Sequence, residues 1–176
     1  MRAVVQRVRS ARVTVEAEEV GVIGRGILVL VCAMADDGPQ DSVWLADKLL
    51  ALRLFADSQG RTNESVRELA EAARVRGGPA AGILLVPQFT LAADLSPGRS
   101  RGNRPAFVRA APPDVARLAF HGFVDQVRQR ADGIAVATGR FGADMEVALV
   151  NDGPFTLWLD TRPGDGPAVG VPGTPT

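Results

Sequence analysis

Two unbroken apolar runs, Ile27-Leu28-Val29-Leu30-Val31 and Ile83-Leu84-Leu85-Val86, constrain this chain more than any other feature. Each has the length and aliphatic content of a strand, and neither alternates with polar residues. Such a strand must be covered on both faces. The first 35 residues supply further strands. Ala3-Val4-Val5 leads into Val8, and Val13 and Val15 alternate with Thr14 and Glu16, which is the period of a half-buried strand. Gly24-Arg25-Gly26 turns the chain into the first apolar run.

Asp41 or Ser42 is expected to cap a helix reaching about Leu52, with Val43, Ala46, Leu49 and Leu50 facing inward. Leu52 to Ala56 predicts a short strand. Residues 64–75 hold strong helix formers over a thin apolar stripe, and predict an exposed helix or insertion ended by Gly77-Gly78-Pro79. Pro113 suits the first turn of a second main helix. Its Ala116, Phe120, Phe123, Val124, Val127 and Ala131 fall on one face. Ile134–Ala137 and Met145–Val150 read as strands, and Asn151-Asp152-Gly153-Pro154 as a turn back into Phe155–Leu159. Strands separated by two main helices predict a single α+β domain over residues 1–160, with helices on one side of the sheets. Ser96 to Arg104 reads as a mobile loop. Residues 161–176, with four Pro and four Gly, read as a disordered tail.

The chemistry is narrowed by scarcity. The 176 residues include one His, one Cys and one Lys. A lone Cys32 excludes a disulfide framework or a Cys-rich zinc site, and a lone His121 excludes a His–His metal pair. Lys48 sits in an apolar helix, so no phosphate-binding Lys-Ser/Thr loop exists. No metal or cofactor is expected. His121, flanked by core residues, reads as a boundary residue, and Cys32 as packing. Asp94, Asp144 and Glu146 could serve as acid and base, but their spacing does not require it. The longest apolar run, Gly26 to Ala35, is too short for a membrane helix, and the N-terminus lacks a signal core. A cytoplasmic protein without membrane contact is expected. Formal charge is zero, yet 19 of the 20 basic residues are Arg. Arg2, Arg7, Arg9 and Arg12 precede the first acid, and Arg99, Arg101, Arg104 and Arg109 share a stretch free of acids. A local basic surface on a neutral protein is therefore open.

Two segments are odd for pure scaffold, although by composition alone each reads more simply as an ordinary strand end or turn. Pro87-Gln88-Phe89-Thr90-Leu91 sets an amide and a hydroxyl at a strand end. Asn151-Asp152-Gly153-Pro154 contains a Gly-Pro bond, for which cis costs only about 0.5–1 kcal/mol.

Together the motifs resemble the D-aminoacyl-tRNA deacylase family over most of residues 1–160. MRAVVQRVRSARVTV (1–15) resembles its opening, PQFTLAAD (87–94) its Ser-Gln-Phe-Thr-Leu motif, NRPAF (103–107) its Arg-Pro-Ser/Ala-Phe element, and ATGRFGADMEVALVNDGPFT (137–156) its closing Asn-x-Gly-Pro-Val-Thr motif. The resemblance implies a homodimer with a partly barrel-like α+β fold. It implies hydrolysis of the ester joining a D-amino acid, or glycine mischarged on tRNA-Ala, to the terminal ribose of tRNA. It also implies chiral proofreading, with Gly153 and Pro154 forming a cis pair that enters the partner's pocket and excludes L side chains, locked by Arg7. Gln88 and Thr90 would be catalytic. Phe89, Pro87, Met145 and Arg7 would bind substrate at the CCA end.

The residues favour one mechanism over another. A Thr nucleophile needs a neighbouring base or a lowered pKa, and none lies near Thr90 in sequence. A ribose 2′-OH needs no protein nucleophile, only positioning and N–H groups for the oxyanion. Pro87 and Phe155 depart from the family's usual Ser and Val. Pro87 resembles relatives with relaxed rejection of L-alanine. Other readings are a non-catalytic nucleic-acid-binding module, a relaxed-chirality deacylase, and a hydrolase of small D-amino-acid esters.

Overall fold

The computed structural model describes residues 1–95 and 104–162. Strand β1 (Arg2–Val15) runs antiparallel to β2 (Glu18–Ile23), β3 (Gly26–Cys32) and the last strand. Helix α1 (Pro39–Ala51) follows, then β4 (Arg53–Ala56) and β5 (Thr62–Ser65), which pair as a small ribbon. Helix α2 (Val66–Arg76) leads to β6 (Gly82–Pro87), helix α3 (Pro113–Arg130), β7 (Ala135–Thr138) and β8 (Glu146–Asp160). The main sheet is mixed, in the order β2-β1-β3-β6-β7, with β8 on the other side of β1. β3–β6 and β6–β7 are parallel.

The sheet curls towards closure. A Cβ on Gly21 of β2 would sit 2.6 Å from the Thr138 carbonyl of β7. The curl divides the apolar residues into two cores. Val8, Val13, Leu28, Leu84 and Val86 fill the inside. Val29, Val31, Ile83 and Leu85 face outward under the helices, with Leu45, Leu49, Phe123 and Val127. The two apolar runs thus alternate between cores, which is why neither contains polar positions.

Three helices form: the two main ones and, of the alternatives for residues 64–75, the helix. α2 is a true helix because Ser65 and Glu68 close a reciprocal capping box and Gly77 ends it at φ +67°. It is not merely exposed, since Val66, Leu69 and Ala70 are buried. α1 starts earlier than Asp41. Gly38 is the N-cap and Pro39 the first helical residue, and Asp41 accepts from the Gly38 N–H at 2.8 Å. Leu45, rather than Val43, completes its buried face.

Residues 151–154 do not turn the chain back. β8 continues through them, and both of its halves pair with β1: Val147–Asn151 against Val13–Val8, and Thr156–Asp160 against Gln6–Arg2. His121 is exposed on α3 rather than set at a core boundary, because the ring steps off the Phe120–Phe123 face. Thr161 and Arg162 belong to the fold. The Thr161 N–H donates to the Met1 carbonyl at 2.9 Å, and Arg162 pairs with Asp36 and Asp41 at 3.1 Å each. The rest of the expected tail, 163–176, and all of the expected Ser96–Arg104 loop but Arg104 lie outside the described residues. Among the described residues no helix is long and apolar enough to cross a membrane.

Candidate active site

Pro87 ends β6 because it has no N–H for the ladder. The Gln88 N–H still reaches the Val31 carbonyl at 2.8 Å, and the chain then tightens into a 3₁₀ turn over Phe89–Ala92. The N–H groups of Phe89 and Thr90 open this turn and so lie ahead of its first i→i−3 bond. Beside it opens a cleft of ≈ 670 Å³, within the usual range for ligand sites. Pro87, Gln88 and Phe89 form one wall, Phe107 and Ala111 another, and Phe141 and Met145 a third.

Gln88 Nε2 donates to Thr90 Oγ1 at 2.5 Å. Thr90 itself is exposed beside the cleft and is not part of its lining. Phe89 is 60% exposed, yet held edge-on against Phe107 with ring centroids 5.2 Å apart. The segment carrying Phe107 is pinned at both ends. Asp94 and Ala106 exchange backbone hydrogen bonds at 2.8 and 3.2 Å, and Ala35 and Ala111 donate to Arg109 and Ala33 at 3.0 and 3.1 Å. Asp144 is the carboxylate on the cleft lining. Behind Phe89 lies Cys32, whose thiol burial and the nearby Asp37 charge push up to about 11, against the opposing pull of Arg2 and the amino terminus. It is a packed thiol. His121 does not line the cleft.

A second constellation forms on a different part of the sheet. Between the Gln6–Thr156 and Val8–Asn151 pairs, Arg7 stands opposite Asp152, Gly153, Pro154 and Phe155. Four residues against one force β8 to bulge outward. Arg7 fills the space beneath. Its Nε donates to the Asp152 carbonyl at 2.8 Å, its Nη2 to the Gly153 carbonyl at 2.9 Å and its Nη1 to the Leu54 carbonyl. The guanidinium also meets Asp152 Oδ2 at 3.2 Å and lies 4.5 Å over the Phe155 ring. Asn151 Nδ2 closes the other side by donating to the Arg7 carbonyl at 3.0 Å. The Gly153–Pro154 peptide is cis, and both residues are exposed.

The structure therefore brings Pro87, Gln88, Phe89 and Met145 together, with Thr90 adjacent. It gathers Arg7, Gly153 and Pro154 separately, and these do not line the same chain's cleft. A family model described as D-Tyr-tRNA(Tyr) deacylase matches residues 4–160. This chain belongs to the D-aminoacyl-tRNA deacylase family. A D-aminoacyl-tRNA deacylase of Cereibacter sphaeroides is 48% identical over 161 residues, covering 92% of this chain and all of the relative. One of Geobacter sulfurreducens is 48% identical over 162 residues, covering 92% and 96%. Among solved structures, one described as a c-Myc DNA unwinding element binding protein matches with TM-score 0.76 at 37% identity, covering 91% and 98%. A probable eukaryotic D-amino acid tRNA deacylase matches with TM-score 0.70 at 20% identity, which is a likeness of fold.

Two residues of these constellations escaped the sequence reading. Phe107 was visible only as the end of the NRPAF element, with no sign that it would stack on Phe89. Asp152 lay inside a quartet read as a turn. Its carboxylate meets Arg7 and also lies 3.7 Å from Arg9, so it serves as the counter-charge of the clamp.

Proposed function

We propose that this chain hydrolyses the ester bond of D-aminoacyl-tRNA as a homodimer, with Gly153 of the partner subunit lending a carbonyl wall to each cleft. The observation that carries this reading is the separation of the two constellations. The cleft beside Gln88 is open, and the exposed Gly153–Pro154 bulge held by Arg7 lies off its lining, so a second copy is needed to join them. The surface around the bulge suits such a contact: Val150 and Trp158 are each 52% exposed on β8, a strand paired on one side only among the described residues.

In this reading the cleft takes the CCA end, with the terminal adenosine against Phe89, Pro87 and Met145. The ribose 2′-OH assists a water that attacks the ester carbonyl, the ribose oxygen leaves as the free hydroxyl with the water's proton, Gln88 orients the reacting group through Thr90, and the N–H groups that open the 3₁₀ turn receive the oxyanion. The carbonyl wall leaves no room for an L side chain. Rejection by about 10⁴-fold needs about 5.5 kcal/mol, which a rigid clash supplies. Glycine has no side chain to reject, so glycyl-tRNA mischarged on tRNA-Ala is also a substrate.

The deciding experiment compares D-alanyl-, L-alanyl- and glycyl-tRNA at equal enzyme, beside light scattering for the oligomeric state. D and glycyl esters should be cleaved and L spared, by a dimer. Cleavage of D with glycyl untouched, or full activity as a monomer, overturns the wall. The likeness to a protein described as DNA-binding favours a second reading, a nucleic-acid-binding module without turnover. Binding of tRNA with no ester cleavage would select it. Cleavage of L-alanyl-tRNA as fast as D would select relaxed chirality, with Pro87 on the cleft wall as the first residue to revert.

A further inference from the structure

Gly139 lies buried directly under the cleft, just past the end of β7. Its N–H donates to the Leu85 carbonyl at 2.8 Å, which ties it to β6. A Cβ at this position would stand 2.7 Å from Met145 Sδ, 3.4 Å from Pro87 Cδ and 3.6 Å from Val86 Cγ1. Gly139 does not adopt a positive φ, so space rather than backbone conformation demands the glycine here. The residue above it, Met145, and the residue beside it, Pro87, both line the cleft.

We infer that Gly139 is a positioning residue for the cleft: its missing side chain lets the Met145 thioether sink towards β6 and so sets the depth of the cleft floor. Any side chain at 139 evicts the thioether. Its backbone cannot retreat, being bonded to β6, and Val86 and Pro87 occupy the flanks. Sulfur must move by about 1 Å to recover an ordinary contact distance. A methionine side chain makes such a move easily, and the free space available to it is the cleft. Gly139 touches no substrate and acts through Met145.

The inference rests on the proposed deacylation, and the test separates the two. Steady-state kcat and KM are measured on D-alanyl-tRNA for the full chain and for Gly139→Ala, Met145→Ala and the double variant. Failure of the unsubstituted protein to cleave would overturn the functional reading. The present inference is read from ratios between variants. Gly139→Ala should raise KM about fivefold or more with kcat within about twofold. In the Met145→Ala background, where nothing is left to evict, the same substitution should change KM by less than about twofold. An equal KM increase in both backgrounds, or a loss confined to kcat, overturns the inference. If Gly139→Ala does not fold, the double variant decides. Recovered folding and activity support the clash with Met145, and continued misfolding refutes it.

Discussion

Arg7→Lys keeps a positive charge and most of the aliphatic stem but removes the planar fork. In the protein that fork holds three carbonyls, of Leu54, Asp152 and Gly153, and the side chain is only 12% exposed. A hydrogen bond from a charged donor contributes about 1.5–3 kcal/mol net. The bond to the Gly153 carbonyl is the solvent-exposed one of the set, so the low end of that range applies to it. An ammonium cannot span all three acceptors, and the carbonyl furthest along the bulge is the one it gives up. Losing about 1.5–2 kcal/mol of restraint on the wall corresponds to about 10–30-fold in selectivity. The assay is kcat/KM for D-alanyl-, L-alanyl- and glycyl-tRNA, with a thermal melt on the same samples. L-alanyl-tRNA cleavage should rise while glycyl-tRNA, which has no side chain to meet the proposed wall, stays within a few-fold. A folded Arg7→Lys protein with unchanged D/L selectivity would refute the reasoning. So would equal losses on all three substrates, which would mark Arg7 as a support of the whole fold rather than of the wall.

Thr90→Ala should keep deacylation within about tenfold, because Thr90 Oγ1 is an exposed acceptor beside the cleft with Gln88 as its partner; a loss of about 10⁴-fold, as for a deleted nucleophile, sinks the 2′-OH mechanism. Asp41 is buried, which disfavours its charge, yet hydrogen bonds from Arg162, the Gly38 N–H and Thr161 hold its carboxyl well below the ordinary carboxylate range. A depressed carboxyl stabilises the fold fully above that ordinary value, and the contribution drains away as pH falls below about 4. Asp41→Asn should therefore melt lower at pH 7 and lose less on acidification than the unsubstituted chain, and parallel melting-against-pH curves would contradict this. The Cys32 thiol, buried and raised to about 11, should resist a disulfide reagent at pH 8 and react with one equivalent after denaturation. Fast native labelling would show that the strand end opens.

What was legible in the sequence was whatever is decided by neighbours along the chain. The two apolar runs announced strands covered on both faces, since nothing polar could sit at any position of β3 or β6. The 116–131 stripe announced α3, because helical spacing is a local property. The motifs at 87–94 and 137–156 announced the family and its candidate site. What sequence could not decide were matters of pairing between distant segments. A stretch with Asn, Asp, Gly and Pro reads as a hairpin turn by local chemistry. It stays within one strand only because β1 offers a single long partner to both halves of β8. Arg7 meets Leu54, Asp152 and Gly153 across separations of 47, 145 and 146 residues. No local pattern records such a convergence. The cap of α1 shows the same limit on a smaller scale: Asp41 was a good capping residue in the wrong place, because Pro39 and Gly38 had already set the first turn. The sequence named the candidate residues by motif, and the curl of the sheet decided that the cleft beside Gln88 and the Gly153–Pro154 bulge lie apart on one chain, because that depends on which distant strands pair.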